Sequence, residues 1–349
     1  MNQRTVTERT LVVRRRRIAL RWRVRSIVVG AVLLALTLAV TVAALVLGGY
    51  SVSASQLWSV VTGDPDAGFA SVVILEWRAP RAVAAVTFGA ALGASGAVFQ
   101  SLTRNPLASP DIIGFSAGSY TGALVVIILV GGTYPEQAAG AVVGGLLTAA
   151  VVYVLAWRDG VQGFRLIIIG IAVAAMLVSF NTWLMLTAEM EVAMSATSWG
   201  AGSFTGIGWE ETAIGSALVL VLLGILALLA PGLRQLELGD DAARSTGVRA
   251  EPVRLAAIVV GVALTATVTA AAGPIAFISL AAPQIARRLT RSPGVAVASA
   301  ALTGALLLAA ADVAGQHLLP TAMPVGVVTV VVGGTYLVWL IVREVRRRA

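Results

Sequence analysis

The sequence has no cysteine, no lysine, a single histidine (His317) and only 12% charged residues. Each absence removes a class of chemistry. Without cysteine there is no disulfide framework, thiolate nucleophile or Cys-based metal site. Without lysine there is neither a P-loop lysine for nucleotide phosphates nor a Schiff-base amine. Soluble domains carry roughly a quarter charged residues. A 349-residue chain with 58% hydrophobic residues and mean hydropathy +0.90 is therefore not a soluble globular protein. What remains is a protein of the bilayer, with membrane lipid as a partner and no metal, catalytic group or cofactor of its own.

All 25 basic residues are arginine; with 17 acids the formal charge is +8. Such a balance can mark a nucleic-acid binder when the cations cluster on one surface. Here they fall between apolar stretches, so they report membrane orientation and no nucleic-acid partner is expected.

A hydrocarbon core of about 30 Å takes about 20 apolar helical residues to cross. The hydropathy pattern predicts an all-α polytopic bundle of about ten spans, at 27–47, 81–102, 112–130, 138–157, 166–186, 212–230, 255–272, 276–289, 296–315 and 325–342. The stretch 276–289 is short and contains Pro283, so it is expected as a half-helix inside the bundle. With a cytoplasmic N-terminus, 23 of the 25 arginines fall in the tail, the inner loops and the C-terminal end, and only Arg78 and Arg81 lie outside. The positive-inside rule then places both termini in the cytoplasm. Residues 1–26 form an Arg-rich tail and 27–349 one transmembrane domain. The run 27–47 is long enough to span and no A-x-A site ends it, so it reads as a retained helix and not as a cleaved signal. Trp58, Trp77, Trp199 and Trp209 lie near outer span ends, where interfacial anchors belong.

Glycine is abundant, and 89–97 reads Gly-Ala-Ala-Leu-Gly-Ala-Ser-Gly-Ala, a small-residue spacing that lets helices approach closely. The spans hold almost no ionisable groups: Asp312 is the acid within an apolar run, read as a capping or pairing group near an outer end. An ion-coupled secondary carrier needs a midplane ion site that this pattern does not supply. The densest segment is Arg78-Ala-Pro-Arg81, then the small-residue helix, Gln100, Arg104-Asn-Pro-Leu-Ala-Ser-Pro110 and Gly114-Phe-Ser-Ala-Gly118. Pro106 and Pro110 break the helix at the inner membrane surface, and Asn105 can bond exposed backbone groups there. The segment reads either as a capped turn between helices or as an inner gate.

These residues resemble the FecCD-type permease subunits of ATP-binding-cassette importers for ferric siderophores, haem and cobalamin. The resemblance continues through Leu236-Glu-Leu-Gly-Asp-Asp-Ala-Ala-Arg-Ser-Thr-Gly247, Gly273-Pro-Ile-Ala-Phe-Ile-Ser-Leu-Ala-Ala-Pro-Gln-Ile-Ala-Arg287 and Pro324-Val-Gly-Val-Val-Thr329, and covers roughly 70 to 349. It implies a permease that pairs with a second permease subunit, identical or related. Two ATPase subunits hold ATP-Mg on the cytoplasmic face, and an extracytoplasmic binding protein delivers an iron–siderophore complex, with cobalamin, haem or another chelate as the alternative cargo.

The resemblance also implies roles. The loop 235–250 would form the coupling helix seated on the ATPases, with Glu237, Gly239, Asp240, Asp241, Arg244 and Gly247 as its residues. Gly239 and Gly247 bracket a short helix in which Asp240 and Arg244 sit four residues apart, a pairing distance. Arg78 and Arg81 would dock the binding protein. Gln316 stands near where relatives carry a third arginine, so it or His317 takes that corner. Asn105 and Leu107 match the cytoplasmic gate, and Gly163 and Phe164 join it by position. Pro283-Gln284 leans toward the catecholate-siderophore branch.

Overall fold

The computed structural model describes residues 10–15, 18–64, 68–157, 163–294 and 296–348. Arg158, expected in an inner loop, lies outside them, as do residues 1–9 of the tail.

The tail departs from the all-helical expectation. Thr10–Arg15 (β1) and Ile18–Arg23 (β2) pair antiparallel, Thr10 opposite Arg23 and Arg15 opposite Ile18. The β-branched and apolar residues that alternate with arginine in this stretch favour a pleated strand over a helix. A two-stranded ribbon is marginal alone in water. This one leads straight into α1 (Val24–Val46), whose Arg25 donates from Nε to the Leu289 carbonyl at 2.8 Å.

The remaining elements are helices. The outer stretch after α1 holds α2 (Ala54–Thr62), started by a capping box in which the Ser53 and Gln56 side chains each bond the other's backbone N–H. Next, α3 (Phe69–Val72) passes through a wide π-helical turn, Val73–Arg78, into α4 (Ala79–Thr103) without a break. Pro80 explains that turn: it lacks an N–H and its ring crowds the carbonyl four residues back, so the helix widens where the proline enters.

Further along are α5 (Phe115–Val125, continued as a π-turn through Val130), α6 (Tyr134–Ala156), α7 (Gly163–Thr187) and α8 (Met190–Gly200). They are followed by α9 (Trp209–Glu237), the short α10 (Asp240–Ser245) and α11 (Ala250–Ala272). The chain closes with α12 (Ile278–Thr290), α13 (Val297–His317) and α14 (Val325–Arg348).

Among the described residues, seven helical stretches can by length and composition cross a membrane: α1, the continuous 69–103 helix, α6, α7, α9, α11 and α13. The apolar 115–130 and 325–339 stretches are shorter, and α12 has 13 residues with Pro283 inside, the half-helix the pattern anticipated. Every predicted span coincides with a helix, but the first helix after the 104–110 segment starts at Phe115, three residues later than expected. The polar stretch 187–211 also holds a helix, α8, that hydropathy did not register.

The core forms around α4, whose residues 91–101 are buried on every side, as a helix apolar all round should be. Phe88 and Leu92 pack with Val219 of α9, Leu264 and Val268 of α11 and Leu308 of α13. A second cluster joins Phe99 to Ile113, Phe115, Val152, Leu166 and Ile258. Small residues permit the contact: a Cβ on Gly93 would fall 2.2 Å from the Ala300 carbonyl oxygen. On α5 and α6, Gly118 and Gly122 face Gly140 and Gly144 in the same way.

Candidate functional site

One end of the bundle is built on two arginines placed by the π-turn. Arg78 donates to the carbonyls of Leu45 (2.8 Å), Val46 (3.1 Å) and Tyr50 (2.7 Å), so its guanidinium closes the C-terminus of α1. Arg81 reaches across to α13 and grips the Asp312 carboxylate with two nitrogens, Nε to Oδ2 at 3.0 Å and Nη2 to Oδ1 at 2.8 Å. Gln316 donates its amide to Oδ2 of the same carboxylate at 2.7 Å. A cavity of about 210 Å³ brings Arg78, Arg81, Asp312, Gln316 and His317 together. Thus Asp312 is a pairing group, 3% exposed, and Arg81 is neutralised within the chain. Among the described residues Arg78 bonds carbonyl oxygens and no carboxylate, so its charge has no acidic partner there. Trp58 and Trp77 are exposed as interfacial anchors should be, whereas Trp199 is half-buried and stacks on Tyr120.

At the other end of α4 the chain turns over at Arg104, whose φ of 50° is left-handed. Asn105 Oδ1 accepts the Leu107 N–H at 2.9 Å, forming the Asx-turn its position allows. Gln284 of α12 donates to the Pro106 carbonyl and Gln100 of α4 to the Leu280 carbonyl (3.0 Å), so α12 is bonded both to this loop and to the helix that precedes it. Gly163 starts α7 against the end of α4, where a Cβ would lie 2.6 Å from Thr103 backbone atoms. Its neighbour Phe164 is 74% exposed, and Leu107 40%. The structure therefore brings Gly163 beside the Asn105 loop but leaves Phe164 turned outward.

The 235–250 segment is tied to this loop by charge. Gly239 (φ 119°) and Gly247 (φ 83°) bracket α10, both in conformations that side chains resist. The expected Asp240–Arg244 pair does not form: Arg244 approaches Asp241 at 3.6 Å, with Asp241 fully exposed. Asp240 instead accepts from Arg254 at 2.7 and 2.8 Å and lies 3.4 Å from Arg104. An i,i+4 spacing makes a pair possible on a regular helix, but Asp240 sits in the first turn, beside α11 and the end of α4. Arg254, 6% exposed, also binds Glu251 (2.6 Å), which accepts from the Tyr153 hydroxyl at the inner end of α6. Glu237 lines a cavity of about 240 Å³ together with Gln100, Arg104, Pro106 and Arg287.

The residue that sequence reasoning missed is Asp111. Its carboxylate accepts from Ser116 of α5 (2.5 Å), Ser279 of α12 (2.6 Å) and the Phe277 backbone N–H. Phe277 has φ 69°, a left-handed conformation costly for an aromatic residue, and the Asp111 bond helps hold it. One acid thus joins the returning gate segment to the starts of two helices. The available signal was an acidic residue between two helix breakers, Pro110 and Gly114, at membrane depth.

Residues 35–343 match the FecCD transport family. The chain is 48% identical over 302 residues to the ferric enterobactin transport system permease protein FepG of Escherichia coli K12, covering 86% of this chain and 91% of that one. It is 34% identical to the achromobactin transport system permease protein CbrC of Dickeya dadantii (89% and 90% covered). To the Fe(3+) dicitrate transport system permease protein FecD of E. coli K12 it is 35% identical (82% and 90%). A metal-chelate type ABC transporter solved in an inward-facing conformation superimposes with TM-score 0.79 at 26% identity, over 90% of this chain and 99% of that one. A match to the family over residues 35–343, nearly the whole helical bundle, makes this chain a member of the FecCD transport family.

Proposed function

We propose that the chain is the permease subunit of an ABC importer that carries an iron–siderophore complex of the catecholate type across the bacterial cytoplasmic membrane. The observation that carries this reading is the near full-length similarity to FepG, a ferric enterobactin permease, at 48% identity. The chain performs no chemistry; two separate ATPase subunits hydrolyse ATP-Mg, and an external binding protein presents the chelate to a pair of permease subunits.

In this reading the polypeptide crosses the membrane about ten times, with α5, α12 and α14 completing the seven longer spans and both termini cytoplasmic. The 23 to 2 partition of arginine supports that orientation. On the outer face Arg78, with no acidic partner among the described residues, leads docking of an acidic binding-protein surface, while Arg81 and Gln316 shape the ground beneath it. Exposed pairs of this kind set encounter rate and orientation more than affinity.

On the inner face α10, with Glu237, Asp241 and Arg244 around it, seats on the ATPases. Movement of α10 passes through Asp240 to Arg104 and so to the Asn105–Leu107 gate, with Gly163 and Phe164 at its edge. The ion network supports this route because it is the polar link between α10 and the loop. Both carboxylates inside the bundle, Asp111 and Asp312, are fully engaged, which favours ATP as the energy source over a coupling ion.

The test is uptake of radiolabelled ferric enterobactin, ferric citrate and a ferric hydroxamate by a strain whose own permeases for these chelates are deleted, expressing this chain with its partner subunits. Uptake of the catecholate alone is expected. Uptake of another chelate only would move the substrate assignment, and uptake that persists without the ATPase subunits would overturn the class.

A further inference from the structure

The formal charge of the chain sits at one end. The first 25 residues hold nine arginines and one acid, Glu8, and so carry the entire +8; the rest of the chain holds sixteen arginines against sixteen acids. The family match begins at residue 35, so this charge lies beyond the matched region.

The structure gives that charge a form. β1 and β2 are six residues each, and β2 runs without a break into α1. Directly opposite residues share one face of an antiparallel pair, so the register sorts the ribbon. One face carries Arg14, Arg21 and Arg23; on the other, five of six residues are apolar, Trp22 among them. The root is fixed: Arg23 donates to the Arg291 carbonyl at 3.3 Å and Arg25 to the Leu289 carbonyl at 2.8 Å, closing the end of α12. Beyond that root the strands pack chiefly on each other, and such a pair needs a further surface to be stable in water.

The helix that carries the ribbon stands at the rim of the bundle. In α1 only Leu33 and Thr37 are buried, and Val32, Leu34 and Leu38 are more than half exposed. It packs mainly on α13, whereas α10 packs on α9 and α11. Where α1 leaves the hydrocarbon, the headgroup layer is therefore the first surface the ribbon meets. Six extended residues span about 20 Å. A ribbon standing away from the membrane would hold its far arginines beyond the screening length of about 8 Å, whereas one lying flat keeps them within it.

We propose that the ribbon lies on the membrane surface as a binding element for anionic phospholipid, its apolar face toward the acyl boundary and its arginines among headgroup phosphates. The inference needs α1 to span a membrane and does not need the permease reading.

The absence of cysteine makes a single introduced thiol specific. Ala19→Cys, five residues before α1, carries a bimane label in the full chain in lipid nanodiscs, with nitroxide on a fixed fraction of phosphatidylcholine headgroups. The label should be strongly quenched in discs that contain phosphatidylglycerol, released by high salt, and little quenched in discs of phosphatidylcholine alone. Arg14→Gln/Arg21→Gln should lower the ratio of surface-bound to free ribbon about fivefold for each arginine lost, and Arg14→Lys/Arg21→Lys should retain it. Arg346→Gln/Arg347→Gln, which removes the same charge from the other end of the chain, should leave the quenching unchanged. Equal quenching in the two kinds of disc, or an equal loss from the C-terminal pair, overturns the proposal. A label that responds only when ATPase subunits are added assigns the ribbon to a protein surface and overturns it as well.

Discussion

Removing the Asp312 carboxylate should cost more than any docking effect it has. Asp312→Ala leaves the Arg81 guanidinium, whose side chain is 19% exposed, and the Gln316 amide facing a space they were built to fill with negative charge. Deleting one partner of a buried ion pair costs about 3–5 kcal/mol. The adjoining 210 Å³ cavity admits water to Arg81, so the lower end of that range applies. A loss of about 3 kcal/mol is roughly a 150-fold fall in the folded-to-unfolded ratio. The double variant Arg81→Met/Asp312→Leu removes both charges, and replacement of a buried pair by apolar residues is neutral or stabilising in many proteins. It should therefore recover most of the loss. The assay is reversible denaturation in mixed micelles, followed by tryptophan fluorescence, across the two single variants and the double. An Asp312→Ala midpoint equal to the parent's, or a double variant that loses the sum of the two single losses, would refute the pairing as the reason for both residues.

Three further outcomes follow from the same geometry. Gly96→Ala should abolish a monodisperse peak in detergent chromatography, because its Cβ would lie 1.7 Å from the Ser279 carbonyl oxygen; Gly224→Ala, with nothing within 4 Å, should gain about 0.5–1 kcal/mol of helix stability. Arg254→Gln frees Asp240 from α11 and should lower the chelate delivered per ATP hydrolysed in proteoliposomes while the subunits still co-purify; an unchanged ratio would exclude the Arg104–Asp240–Arg254 route. Arg78→Gln should slow capture of the binding protein in stopped-flow mixing and flatten its salt dependence, with dissociation little altered; an unaltered on-rate would remove Arg78 from docking.

Much of the fold was legible. Long apolar runs bounded by arginine have few solutions in a bilayer, so the helices of the bundle fell where hydropathy placed them. The glycines at 89, 93 and 96 announced a close crossing, and the structure puts α13 and the start of α12 there. The tail ribbon and α8 escaped because short or amphipathic elements leave no hydropathy signature.

The candidate site was legible in kind and less so in partnership. Asn105 bonds backbone as its type and place foretold, and Gly239 and Gly247 bracket α10. Asp240 was matched to Arg244 by local spacing, yet its partners are 136 and 14 residues away. Asp111 passed unnoticed because its three donors come from α5 and from both sides of the α12 start.

Composition and periodicity alone determined that this chain is a helical membrane protein, because burial of backbone and charge in lipid is decided residue by residue. Which of Arg78 and Arg81 meets a carboxylate, and what holds the 104–110 segment, were decided only by the tertiary structure. Those properties depend on contacts between helices far apart in the chain, and no local pattern encodes which of several compatible partners a side chain will meet.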